Sequence, residues 1–172
     1  MGAVTVTDNL DSEELMGLAL DAIDRGDNEN AIKYLKRALV LAPDDAMALY
    51  ALGTLHASMG MHERAIEEIL QVLEVQPEFH VARFQLGMIF LAHGDNEYTL
   101  EYWAPFAELD ETHTFFLFRR GIEHYLNDRY AQCIADLGSS IEANLDYESV
   151  IDDMRGLQVE ISELSANQSA AL

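Results

Sequence analysis

The sequence predicts an all-α fold of four tandem helix–turn–helix units and a closing helix. Three observations predict it. Apolar residues recur at the three-and-four spacing of a helix face. The pattern is cleanest over 46–79, where Leu49, Leu52, Gly53 and His56 form one stripe and Ala65, Ile66, Ile69, Leu70, Val72 and Leu73 a second. Between the stripes Gly60 supplies turn geometry; after them Pro77 stops the helix, having no N–H for another turn. Finally, the brick returns at a period of about 34 residues: Gly26, Gly60 and Gly94 at the turns, Gly53, Gly87 and Gly121 inside first helices, Ala31 with Ala65, Pro43 with Pro77. Gly53 and Ala65 are the smallest side chains of their helices and face each other, so the pair can lie close.

Leu49, Leu52, Gly53, Gly60, Ala65, Ile69, Val72 and Pro77 together resemble the tetratricopeptide repeat, with His56 where that family usually has an aromatic. The resemblance implies a right-handed superhelical solenoid of four repeats, 12–45, 46–79, 80–113 and 114–147. Residues 1–11 are expected to be a flexible lead-in, 148–164 a capping helix and 165–172 a disordered tail.

Each element has its own signal. Asp11 or Ser12 can cap the first helix, with Glu13 and Glu14 in its positively polarised first turn. The first repeat then turns at Gly26-Asp27-Asn28, and its second helix carries a basic outer face, Lys33, Lys36 and Arg37. In the third repeat Thr99 stands where a small alanine is expected, Glu111 replaces the closing proline, and Pro105 falls inside the second helix. A proline there costs roughly 3 kcal/mol unless accommodated, so residues 102–106 are expected to kink or break. In the fourth repeat Cys133 takes the small close-packing place, Asp128 replaces the turn glycine, and Asn127 is expected to take the left-handed conformation. Val150, Ile151, Met154, Leu157, Ile161 and Leu164 form one more helix face, suited to covering the apolar end of an array.

Composition narrows the function. A net charge of −21, from 10 basic against 31 acidic residues, repels phosphate backbones and anionic membranes, so nucleic acid and membrane insertion are not expected. A single cysteine and a start without a basic, apolar signal point to the cytoplasm. Val6 stands where a myristoylation motif wants Ser or Thr. The six histidines include no pair at i, i+4 on one helix face, GDNE at 94–97 lacks the spaced ligands of a calcium loop, and no phosphate-cradling loop or nucleophile elbow occurs. No catalytic residue, metal site or cofactor is expected.

In this family the first helix of each repeat lines a concave groove. By that resemblance the groove residues are Met16, Leu20, Ile23, Met47, Tyr50, Thr54 and Ala57, then Val81, Phe84, Gln85, Met88 and Leu91, then Phe115, Phe118, Arg119, Ile122 and Tyr125. Family members that grip a terminal carboxylate place Lys, Arg and Asn here, and only Arg119 matches. Each large apolar side chain contributes roughly 1.5–3 kcal/mol when buried, and monomers rarely leave more than a few hundred Å² of contiguous apolar surface open. Something is therefore expected to cover the groove. The expected function is a non-enzymatic adaptor or scaffold that binds an apolar or amphipathic segment of a partner protein. The alternatives are a holding chaperone for a secreted or aggregation-prone client, and a homo-oligomer whose second copy seals the groove.

Overall fold

Carboxylates at the helix starts and left-handed residues at the turns set the frame of the chain. The computed structural model describes residues 9–143 and 147–170. Its helices are α1 (Ser12–Asp24), α2 (Asn28–Leu41), α3 (Ala46–Ser58), α4 (His62–Val75), α5 (His80–Ala92), α6 (Asn96–Trp103), α7 (Thr114–Tyr125), α8 (Tyr130–Glu142) and α9 (Glu148–Ala170), with a 3₁₀ turn, Ala104–Glu108, after α6. The described residues contain no strand. At α1 the Asp11 carboxylate accepts from the Glu14 N–H at 2.9 Å and the Glu14 carboxylate accepts from the Asp11 N–H at 3.0 Å, a reciprocal cap that satisfies two otherwise orphaned groups. Asp45 caps α3 by accepting from the N–H groups of Met47 and Ala48.

The turns carry positive φ at Gly26 (71°), Gly60 (74°) and Gly94 (74°), and at the corresponding place in the last turn Asp128 adopts φ 58°. Asp128 itself, rather than Asn127, is therefore the left-handed residue. A short carboxylate side chain tolerates this conformation better than most, and the Tyr130 hydroxyl donates to it at 3.0 Å.

The chain divides into two compact units, Met1–Ile89 and Phe90–Leu172, with the border inside α5. In the first unit α1 packs on α2 and α3 on α4. One core cluster draws Ala19 and Ala22 from α1, Ala31 and Leu35 from α2, and Ala48, Ala51, Leu52 and Leu55 from α3. Gly53 faces Ala65 as the sequence requires: a Cβ there would stand 3.5 Å from the Ala65 carbonyl and 2.9 Å from Ile69 Cγ1.

In the second unit α6 stops at Trp103, and Pro105 sits in the first turn of the 3₁₀ segment, where its missing N–H has no helical partner to lose. The expected kink is thus a change of helix type. Thr99 is buried and donates its hydroxyl to the Asp95 carbonyl at 2.9 Å, which lets it stand in the small-residue place. α7 packs on α8 and α8 on α9. α9 buries Val150, Ile151, Met154 and Ile161, and its Gln158 amide donates to the Ile134 carbonyl at 3.0 Å across Gly138.

α9 runs to Ala170, not to 164, so residues 165–170 are helical where a disordered tail was expected. Nothing after Leu164 stops a helix: there is no glycine or proline, and Ser, Ala, Asn and Gln continue the turn. Residues 1–8 of the expected lead-in, 144–146 of the fourth repeat and 171–172 of the tail lie outside the described residues. Gly156, inside α9, has nothing within 4 Å of where a Cβ would stand. Gly156→Ala should therefore raise the unfolding free energy by about 0.4–1 kcal/mol, read from urea denaturation; an unchanged or lower midpoint would refute open space at this position.

Candidate protein-binding surface

The residues predicted to line a groove divide by exposure. Second residues of the first helices correspond along the repeat: Met47 is 49% exposed, Val81 4% and Phe115 1%. Three residues further on, Tyr50 is half-buried, whereas Phe84 and Phe118 have no exposed surface. Ile122 is also fully buried. Val81, Phe84, Phe115, Phe118 and Ile122 therefore belong to the core and offer no open docking surface.

For the α7 residues the cover is visible. Trp103 meets the Phe118 ring edge-on at 5.0 Å, and Phe106 stacks on Phe115 at 4.8 Å. Both covering rings are fully buried. They come from YWAPF, the segment that changes helix type at Pro105. Aromatic pairs at these separations add roughly 0.5–1.5 kcal/mol beyond area burial. Trp103 and Phe106 escaped the groove assignment because neither lies on a first helix. The signal available for them was the proline itself, which frees the two rings from a common helical register.

The remaining predicted residues are at least partly accessible. On α1, Leu20 is 47% exposed, with Met16 and Ile23 half-buried on the same stripe and packed against the core cluster. On α3, Met47 leads a stripe with Tyr50, Thr54 and Ala57; Tyr50 rests on Phe79 with ring centroids 5.1 Å apart, and the Thr54 hydroxyl donates to the Ala51 carbonyl. Gln85, Met88 and Leu91 on α5 are half-buried. In the second unit Tyr125 is half-buried against Tyr130, and Arg119 holds Glu123 at 2.8 Å. The one residue that matched a carboxylate grip is thus already engaged.

The polar interior repeats with the same period. His56 Nδ1 lies 2.6 Å from Glu68 Oε2, and His124 Nε2 lies 3.6 Å from Asp136 Oδ2. Between them in sequence, Phe90 and Tyr102 hold the corresponding places and stack at 5.4 Å with an 8° interplanar angle. Each pair links the first helix of a repeat to its second. The acids were not picked out from the sequence, although Glu68 and Asp136 stand at the same place in their repeats. Arg120 also binds Asp136 in a two-pronged contact, at 2.8 and 2.7 Å.

Cys133 is buried, and that burial, with the charge of Asp136, pushes its thiol up to about 11. Such a thiol is a packing group rather than a nucleophile. Among the described residues no group of three or more His, Cys, Asp or Glu side chains is placed to hold a metal ion, and no helix is long and apolar enough to cross a membrane.

Residues 16–74 match the sequence profile of the tetratricopeptide repeat. No curated protein matches the sequence. Among solved structures, a crystal structure of MamA superposes with a TM-score of 0.62 at 19% identity, covering 77% of this chain and 77% of that one. A MamA fragment from Desulfovibrio magneticus RS-1 gives a TM-score of 0.62 at 16% identity, covering 91% of this chain and 96% of that one. At such identities the likeness is one of fold. With the profile match over residues 16–74 and the helix pairs above, it shows an all-α fold of paired helices like that of those structures, with the tetratricopeptide repeat itself matched in the first unit.

Proposed function

We propose that the chain is a non-enzymatic, cytoplasmic adaptor that holds an apolar or amphipathic segment of a partner protein against the α1 and α3 face of its first unit. One observation carries the reading. The same repeat position is open at Met47 and closed at Val81 and Phe115. Leu20, about half exposed on α1, extends the accessible apolar surface. The partner segment would anchor through apolar side chains at helical or extended spacing. The exposed Met47, with Met59 and Met61 at the turn, favours a surface that adapts to more than one sequence, as a holding chaperone's would.

The test is affinity capture from lysate of the source organism with wild type, a Leu20→Glu, Met47→Glu double variant, and a Val159→Glu control on α9. A protein retained by wild type and control but lost from the double variant is the expected result. Equal capture by all three, with unchanged helicity by circular dichroism, would place binding elsewhere. Sedimentation of the purified chain separates the homo-oligomer reading, in which self-association is lost in the same double variant.

A further inference from the structure

The outer face of α2 differs from every other second helix of the array. Counted along the repeat, Lys33 corresponds to Glu67, Glu101 and Ala135, and Val40 to Glu74, Glu108 and Glu142. Lys36 corresponds to Leu70, Ala104 and Gly138. A solvated face in an acidic protein would be expected to follow its neighbours. Here Lys33 reverses the charge of Glu67 and Glu101, Val40 replaces three glutamates, and α2 carries both lysines of a chain whose net charge is −21.

The same face is also apolar at one end. Val40 is 78% exposed and Leu41 54%, the former the most exposed of the large hydrophobic residues described. With Lys33, Tyr34, Lys36 and Arg37 they make one continuous open face of α2. Lys33 holds Glu29 at 2.6 Å, but the pair is exposed on both sides, where such bridges exchange at little cost.

We propose that this outer face of α2 is a second docking site, and that its occupant is a short acidic amphipathic segment of another protein. Apolar side chains of the segment would cover Val40 and Leu41 while its carboxylates meet Lys33, Lys36 and Arg37. Charge complementarity selects the acidic segment. Charge magnitude selects a short one, because a second copy would bring −21 against −21, whereas a segment with a few carboxylates meets far less long-range repulsion. The site is separate from the α1 and α3 surface, and the two succeed or fail independently.

The test titrates the full chain with a labelled synthetic helix of about five turns, Leu along one face and Glu along the other, and with a control peptide carrying Gln for Glu. The Glu peptide should bind wild type, protect 30–41 from hydrogen exchange, and weaken with added salt. Lys33→Glu with Lys36→Glu, or Val40→Ser alone, should weaken it at least about tenfold. The Leu20→Glu, Met47→Glu variant should bind it unchanged. Equal binding of the Gln peptide, or protection away from α2, overturns the proposal. So does self-association abolished by the lysine substitutions, which assigns the face to a second copy, or binding to phosphatidylserine vesicles in preference to the peptide, which assigns it to a lipid surface.

Discussion

Trp103→Ala should lower the unfolding free energy of the second unit by about 3–5 kcal/mol, the usual cost of removing a fully buried large aromatic. Trp103 has no exposed surface and sits edge-on against Phe118, which is equally buried. Truncation would leave Phe118 facing a cavity at a place where the 3₁₀ segment gives little room to collapse, since Phe106 is held by its own stack on Phe115. Urea denaturation followed by far-ultraviolet circular dichroism measures the loss. Trp103→Phe should recover much of it, because a ring remains against Phe118. A loss from the alanine variant below about 1 kcal/mol would mean that the site closes over without strain, and that YWAPF is not what seals α7.

Gly53→Leu should cost about 2–3 kcal/mol, although leucine favours a helix over glycine by nearly 1 kcal/mol. Its Cβ alone would stand 2.9 Å from Ile69 Cγ1, and Ile69 is fully buried and cannot swing away. The remaining leucine atoms would force α3 and α4 apart. The same replacement at Gly17 meets nothing within 4 Å and should stabilise the chain through propensity alone. Opposite signs for one substitution at two helical glycines, read as shifts in urea midpoint, are the expected outcome. Loss at both sites would show that glycine is needed for some reason other than close approach.

These two sites mark what could be read from the sequence. Gly53 was legible because its requirement is local: a small residue recurs on one helix opposite a small residue on the next, at a period the chain repeats. The three glycine turns were legible for the same reason, and so was the break at Pro105; in the last turn the left-handed place fell to Asp128 and not to Asn127. Burial of Phe115 and Phe118 was not. Periodicity placed them on a first helix, but their exposure depends on where Trp103 and Phe106 go once α6 gives way to a 3₁₀ turn, and no spacing rule carries across that change. The end of α9 was missed for a different reason. Loss of apolar pattern after Leu164 was read as loss of structure, yet a helix ends where something stops it, and Ser165 to Ala170 contains no stop. The stripe on α1 and α3 lies on first helices, where its spacing put it; its difference in exposure from the α7 stripe emerged only with the packing.

The alternation of His56–Glu68, Phe90–Tyr102 and His124–Asp136 has a bearing on heredity. Tandem repeats invite unequal crossing-over, which swaps or deletes whole bricks. In this chain a crossover between the helices of neighbouring repeats would set an imidazole against a phenol ring, or a phenyl ring against a carboxylate. The second mismatch takes the carboxylate from its partner and sets it against an apolar face. Exchange between the second and fourth repeats would match histidine with acid again, but at the loss of everything between. The rungs thus tie each first helix to its own second helix: an exchange of whole bricks leaves them matched, whereas one joined between the two helices of a brick carries a mispaired rung.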